Sequence, residues 1–515
     1  MSKVAKATIG LMIVTMLSKI LGFCRELTLT YVYGASSVAD VFITTLSIPT
    51  LLFASIGAAI GTTIIPIFYE VDKNGGRENS LKFMNNIFNI IMILCMILAI
   101  LGFIFAEPLV KVFAIDFTGY KLELAVSFTK IVIFGVVFIG LSNMMTSWLQ
   151  IKGEFSIPGM IAIPFNLFII IGIILSMKGD IKIMATWALM GIVSQFLFQL
   201  PFAIKNGYRY KLYINLKDEY IKKILILVMP VFLGVAVNQV NTIIDRSLSS
   251  TLGNGFITIL NSANRLNGFV LGIFITTISS VIYPTLSKIS NENDKEKFSN
   301  SVSKSINIVV LLIVPISVGA IVLAEPVVRI VFERGAFNSE ATHMTAVALI
   351  CYSFGTLWIG LREIVNNVFY SLQDTKTPMV NGSLAVSINI VLNFVLVKFL
   401  GYAGIALATS ISSLICMVLL FISLKKKIGY FGQDKILNTM VKSFIAAVVM
   451  GFITVVSYKL IAEILGLGFI KEVVTLLISI AIGALIYGGT VIILKVEEVC
   501  ILTEMIRKKL NGELR

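Results

Sequence analysis

The chain has 515 residues, 57% of them hydrophobic and only 14% charged, with a formal net charge of +14. Soluble domains average about 45 to 50% apolar and about 25% charged, so the composition excludes a soluble protein and specifies an integral membrane one. Five scattered cysteines without a CxxC pair, a single histidine (His343) and the lack of a Walker A sequence exclude multi-histidine zinc sites, histidine proton relays and ATP hydrolysis through a P-loop of its own.

From the N-terminus, Met1 to Lys6 is followed by an apolar run to Phe23 that lacks a small-x-small cleavage site and meets Lys19 and Arg25, which predicts an uncleaved first span. A membrane helix needs about 20 mostly apolar residues, and the chain offers about fourteen such segments. They centre near Val14, Leu52, Met92, Val136, Ile170, Met190, Leu233, Ile273, Leu311, Thr356, Val391, Ser410, Val448 and Ile480. Two of them, Ser37 to Glu70 and Gly253 to Lys288, exceed one bilayer crossing, and each holds glycines and a proline near its end. Gly57 and Gly61 form a GxxxG in the first of these, a spacing that suits close helix packing.

The landmarks repeat. Ala106-Glu107-Pro108 with Leu109-Val110-Lys111 returns 218 positions later as Ala324-Glu325-Pro326 with Val327-Val328-Arg329, and the same offset carries Ile65-Pro66 onto Tyr283-Pro284. Nearby offsets carry Trp148-Leu149-Gln150 and Pro158 onto Ser371-Leu372-Gln373 and Pro378. A period this long in so apolar a chain indicates a duplicated bundle, of the kind that carries a substrate between its halves. The expected fold is all-α and polytopic, with six-helix lobes at residues 1–215 and 216–430, two additional spans at 431–495 and an amphipathic tail at 496–515. An even number of spans per repeat makes the repeats parallel. Lysine and arginine concentrate at Lys205 to Lys223, Lys288 to Lys304, Lys425 to Lys435 and beyond Lys495, which places both termini in the cytoplasm. These basic loops read as membrane-surface anchors rather than nucleic-acid contacts. In the tail, Val499, Leu502, Ile506 and Leu510 share one helical face, suited to lying along the inner leaflet.

Ionisable residues within spans cost several kcal/mol, so each is a functional candidate. The first half offers Lys19, Arg25, Glu26 and Asp40; the second offers Asp245, Arg246, Arg265 and the Arg362-Glu363 pair. Arg265 lies roughly 18 Å along its span at about 1.5 Å per residue, too deep to snorkel. Two readings stand side by side: a cationic chamber for an anionic headgroup, or structural ion pairs such as Arg25 with Asp40. An oxygen-rich set, Asp245, Asn389, Asn393 and Thr409, suits either a monovalent cation or interhelical hydrogen bonding.

At Ser18-Lys19-Ile20-Leu21-Gly22-Phe23-Cys24-Arg25-Glu26, then Tyr33-Gly34-Ala35 and Ala39-Asp40-Val41-Phe42, the chain resembles the MurJ (MviN) lipid II flippase family of the multidrug/oligosaccharidyl-lipid/polysaccharide exporter superfamily. The resemblance continues through Ile48-Pro49, Ile65-Pro66-Ile67, Ala263-Asn264-Arg265-Leu266, Phe332-Glu333-Arg334-Gly335-Ala336-Phe337 and the run from Phe369 to Pro378, nearly the whole chain. It implies a V-shaped pair of lobes, two final helices bordering a groove for a polyprenyl tail, and export of the undecaprenyl-pyrophosphate-linked peptidoglycan precursor from the cytoplasmic membrane by a monomer without enzymatic chemistry. It places the family's cavity cations on Lys19, Arg25 and Arg265, with acidic partners on Glu26 and Asp40. It also likens Asp245, Asn389, Asn393 and Thr409 to a sodium site, with Na+ as coupling ion. Where members often carry arginines and a glutamate after the proline matched by Pro49, this chain has Phe53, Ala54 and Ala58, which leaves room for another polyprenyl-linked glycan. A cation-coupled drug antiporter of the same superfamily would favour acidic and aromatic groups over Lys19 and Arg25. A membrane glycosyltransferase would need a carboxylate cluster, whereas Glu107, Glu325 and Asp374 stand apart.

Overall fold

The computed structural model describes residues 3–292, 294–466 and 468–500. Among them every regular element is helical. Packing divides the chain into two units, Met1–Thr258 with Arg334–Asn338, and Ile259–Glu333 with Ser339–Arg515.

The first unit contains α1 (Lys3–Tyr33), α2 (Ser37–Ile104), α3 (Ala106–Phe113), α4 (Gly119–Val132), α5 (Gly135–Ile151), α6 (Ser156–Met160), α7 (Ala162–Ser176), α8 (Ile183–Lys205) and α9 (Glu219–Ser250). It also holds the first turn of α10 (Phe256–Ser290). At about 1.5 Å per residue, the 68 residues of α2 would reach roughly 100 Å, against a bilayer core of about 30 Å. The helix resolves this by breaking into two arms at Gly76, whose φ of 70° is left-handed. Ser36 caps the first arm by accepting the Ala39 N–H. The α2 arms pack on α4, α5 and α9, α7 packs on α1 and α8, and the core gathers Phe113, Phe117, Phe128 and Trp148, each almost wholly buried.

The second unit comprises the rest of α10 with α11 (Lys295–Val322), α12 (Ala324–Phe332), α13 (Ser339–Ser371), α14 (Lys376–Leu400), α15 (Tyr402–Ile428), α16 (Gln433–Leu465) and α17 (Phe469–Ile493). Here α15 packs between α13 and α14, while α16 lies on α11 and α17. Lipid tails are as apolar as leucine, so such contacts hold by close van der Waals fit rather than by removal from water. Gly355 shows how close: a Cβ there would sit 2.8 Å from the Ser410 Cα.

All fourteen expected centres fall within helices. Among the described residues, eleven helices qualify as spans by length and composition, or twelve if the halves of α9, Glu219–Met229 and Gly234–Ser250, bent by 51°, count as one; both arms of α2 are taken together in that number. The repeat is plain in α3 and α12. Both are short amphipathic helices that bury the matching pairs Ala106/Ala324 and Val110/Val328 and end on a buried phenylalanine, Phe113 and, one residue later in the repeat, Phe332; both carry an i,i+4 ion pair, Glu107–Lys111 at 3.0 Å and Glu325–Arg329 at 2.6 Å.

Packing divides the chain elsewhere than the repeat does. The repeat sets a limit at 215/216, yet α9 lies on α2 and belongs with the first unit, which runs to Thr258. The half-buried Arg246 explains the pull: its guanidinium donates to the Ile43 carbonyl at 3.0 Å and to the Ser47 hydroxyl, both on α2. The two additional spans, α16 and α17, join the second unit. Tyr487 of α17 accepts or donates a bond with Ser443 of α16 and donates to the Leu311 carbonyl of α11 at 2.9 Å. Of the amphipathic tail at 496–515, residues 501–515 lie outside the described residues. Val499 packs beside Val496 and Val491 against Leu311.

Candidate functional site

Helix α1 carries the first cations. It is fixed on α6 and α7, where the Ser18 hydroxyl donates to the Gly159 carbonyl at 3.1 Å. One residue on, Lys19 is exposed, and Arg25 is half-buried with its guanidinium 5.6 Å from the Phe165 ring centroid. An aromatic face steadies a guanidinium without neutralising its charge. Glu26, by contrast, is buried.

Asp40 does a different task from the one expected of it. It is fully buried in the first turn of α2, and its partner is Lys121 of α4 rather than Arg25. Its carboxylate accepts four hydrogen bonds: from the Gly255 N–H at 2.7 Å, the Thr258 N–H at 2.9 Å, the Thr258 hydroxyl at 2.8 Å and the Lys121 ammonium at 3.1 Å. An anion on the unpaired N–H groups of a helix start meets both their hydrogen-bonding need and the positive end of the dipole. Asp40 is therefore a latch on the first turn of α10. The neighbouring turn is equally tight: Ala336 N–H donates to the Tyr31 carbonyl at 2.9 Å. A Cβ on Gly34 would lie 2.2 Å from the Ala336 oxygen, and one on Gly335 would lie 2.2 Å from the Tyr31 oxygen. Both glycines also have φ near +60°, so no other residue fits.

The second arm of the resemblance, Phe53, is a packing residue. It is buried, its ring lies against Gly57, and a Cβ on Gly140 of α5 would meet it at 3.3 Å. The GxxxG pair makes no tight contact with another helix: a Cβ on Gly57 would crowd Phe53 of the same helix at 3.0 Å and meet Asn143 of α5 only at 3.6 Å, and one on Gly61 would touch nothing within 4 Å.

In the second unit Arg265 is exposed on α10, and the next residues turn into an apolar cavity of about 500 Å³. Leu266, Phe269, Leu312, Ala320, Met450 and Gly483 are among its lining, drawn from α10, α11, α16 and α17. Asn267, one of the few polar residues in the lining, is buried and accepts the Thr356 hydroxyl at 2.5 Å. A cation next in sequence to the lining of an apolar recess suits a molecule with an anionic head and a hydrocarbon tail.

The oxygen set is divided. Asp245 belongs to the first unit, where its carboxylate accepts from the Asn241 amide at 3.3 Å. Asn389, Asn393 and Thr409 belong to the second. There the Asn393 amide donates to Asn389 Oδ1 and the Asn389 amide to the Ser412 hydroxyl, both at 3.1 Å, tying α14 to α15. Among the described residues no group of three or more histidine, cysteine, aspartate or glutamate side chains could hold a metal ion.

The family model described as "Lipid II flippase MurJ" matches residues 29–477. The chain belongs to the lipid II flippase MurJ family. Among MurJ relatives, a protein of Buchnera aphidicola subsp. Baizongia pistaciae named "Probable lipid II flippase MurJ" is 31% identical over 89% of this chain and 90% of its own length. One of the same name from Haemophilus influenzae is 29% identical over 95% of this chain and 100% of its own. The solved structure of a MurJ described as "inward closed conformation" superposes with a TM-score of 0.79 at 26% identity, covering 94% of this chain and 98% of that one. An inward-facing multidrug resistance MATE transporter, 15% identical with a TM-score of 0.68, shares the fold.

Sequence reasoning found the cations on α1 and α10 and missed the partners that set the roles around them. Lys121 and Arg246 stood in view as charges in or beside apolar runs, but backbone acceptors and donors such as Ile43 O and Gly255 N carry no sequence signal.

Proposed function

We propose that this multi-pass membrane protein exports lipid II across the bacterial cytoplasmic membrane by alternating access, with no covalent step. The family match over residues 29–477 carries this reading. The exposed Arg265, next in sequence to the lining of an apolar cavity, supports it, since a polyprenyl pyrophosphate needs a cation for its head and apolar shape for its tail. Lys19, Arg25 and Arg265 are assigned to the pyrophosphate, and the cavity against α16 and α17 to the tail. Glu26 and Asp40 support the helices rather than the ligand, because both are buried. Arg25→Ala and Arg265→Ala should each abolish complementation of a flippase-depleted cell at near-normal protein levels; full complementation by both would remove the cationic assignment.

The same proposal places both termini in the cytoplasm, fourteen spans in the membrane and a monomer as the working unit. Membrane potential or a cation gradient drives the cycle, the potential supplying about 2.3 kcal/mol per charge per 100 mV. Sodium acts at Asp245, Asn389, Asn393 and Thr409, so Asp245→Asn should weaken ion dependence more than lipid binding. Equal transport with and without sodium would end that assignment.

A second reading, export of a different polyprenyl-linked glycan, is favoured by Phe53. A buried ring packed on Gly57 and Gly140 stands where MurJ relatives often carry basic residues, so the headgroup contacts of α2 differ. Competition between lipid II and other polyprenyl-pyrophosphate glycans in native mass spectrometry separates the two. A cationic-drug antiporter is disfavoured by Lys19 and Arg25, which would repel its substrate.

A further inference from the structure

Residues 206–218, between α8 and α9, form neither helix nor strand, yet they are held as firmly as either. Three asparagines on the second arm of α2 do this. The Asn85 amide donates to the Arg209 carbonyl at 2.9 Å, the Asn89 amide to those of Lys211 and Tyr213 at 3.3 and 3.1 Å, and the Asn86 amide to that of Asn215 at 2.9 Å. Asn86 also accepts the Asn215 N–H at 2.8 Å, and Tyr208 and Tyr210 donate to Asn85 and Asn89 at 3.2 and 2.9 Å. The order of contacts, Asn85 to Asn89 and back to Asn86, makes the segment a loop whose apex is Lys211 to Tyr213.

The depth of that apex follows from α2. Its second arm is polar from Arg77 to Lys82, and from Phe83 to Ile104 these three asparagines are its only strongly polar side chains. That stretch spans about 33 Å at 1.5 Å per residue, the thickness of a bilayer core. Asn89 lies about 9 Å inside its start. Non-helical backbone at that depth must have its carbonyls satisfied by protein, and the asparagine amides supply this. Three apolar side chains nevertheless point outward: Leu212 is 75% exposed, Leu216 68% and Ile214 47%. Around them stand Arg209, Lys211 and Lys217, all exposed, and Tyr210, half exposed, which suits a headgroup boundary.

We infer that residues 208–217 are an interfacial wedge: Leu212, Ile214 and Leu216 insert into the leaflet on the Gly76 side, and Arg209, Lys211 and Lys217 hold the phosphates of anionic phospholipids. The occupant is bulk anionic lipid, because basic side chains at 209, 211 and 217 flank the exposed apolar ones at 212, 214 and 216, and long basic side chains can reach the headgroup phosphates from such a loop. The role is independent of the transported substrate.

The test places the photoreactive residue p-benzoylphenylalanine at position 212 of the full chain, reconstituted in vesicles of equal phosphatidylglycerol and phosphatidylcholine. Intact mass after illumination reads the adducts. The wedge predicts lipid adducts with phosphatidylglycerol at least threefold over phosphatidylcholine. Replacing Arg209, Lys211 and Lys217 together by glutamine (Arg209→Gln, Lys211→Gln, Lys217→Gln) should bring the ratio to about one while total lipid adduct persists. No lipid adduct, an adduct to another protein, or equal labelling by both lipids in the unmodified basic background would overturn the inference.

Discussion

Asp40→Asn is the sharpest test of how the structure is held at the start of α10. The amide keeps one acceptor, so if it faces Thr258 those two bonds survive, and the Gly255 N–H and Lys121 ammonium then meet an NH2 group. Hydrogen bonds to charged groups are worth about 1.5–3 kcal/mol each, an anion at a partly buried helix start up to about 2 kcal/mol, and removal of one partner of a buried pair costs about 3–5 kcal/mol. These overlap rather than add, and the last is the best single figure because Asp40 is fully buried and the Lys121 side chain only 12% exposed. The expected loss is therefore about 3–5 kcal/mol, or two to three and a half decades in the unfolding equilibrium. The assay is equilibrium unfolding of the purified protein in mixed micelles titrated with sodium dodecyl sulfate, with Lys121→Met and the double variant completing a cycle. Coupling above about 1 kcal/mol is expected for residues that share a bond. A loss under about 0.5 kcal/mol for Asp40→Asn, or additive single effects, would refute the latch.

Ala320→Trp, which fills the cavity beside α16 and α17, should slow transport of full-length lipid II at least tenfold while a short-chain analogue binds within about tenfold of normal, read by native mass spectrometry. Equal loss of both ligands would detach the cavity from the tail. Asp374, in the loop before α14, has its carboxyl held down at about 2 by the Lys427 ammonium and the Thr377 N–H. A carboxylate lowered on folding stabilises fully above its ordinary value of 3.8 and loses that contribution as pH falls towards 2. Asp374→Asn should thus lower the melting temperature at pH 7 and approach the parent protein near pH 2; a difference unchanged across that range would contradict the pairing.

The parts of the molecule legible in the sequence are those written in side-chain pattern. Apolar runs gave every helix of membrane length, and the Ala-Glu-Pro signatures marked α3 and α12 as repeats because burial of Val110 and Val328 and the i,i+4 ion pairs need those residue types. Arg265 was legible because a cation so deep in an apolar run has few uses. The rest depends on backbone groups and on distance along the chain. Asp40 finds donors 215 and 218 residues away at Gly255 and Thr258, and two of its four donors are main-chain N–H groups at a helix start. The loop at 206–218 looked like a basic connection, since nothing in its own composition shows that Asn85, Asn86 and Asn89 hold it. The limit at 215/216 reflects duplication, whereas Arg246 anchors α9 to α2 through the Ile43 carbonyl.

Lipid II movement by the purified protein is the most direct measure of the account. Vesicles containing the protein and fluorescent lipid II in both leaflets are treated with a membrane-impermeant quencher, and the rate at which inner-leaflet lipid II becomes quenchable is followed. The account predicts a rate at least tenfold above that of protein-free vesicles, falling to the protein-free rate in the Arg25→Ala, Arg265→Ala double variant. Lipid II exposed no faster than in protein-free vesicles, while another polyprenyl-linked glycan is exposed rapidly under the same conditions, would contradict it.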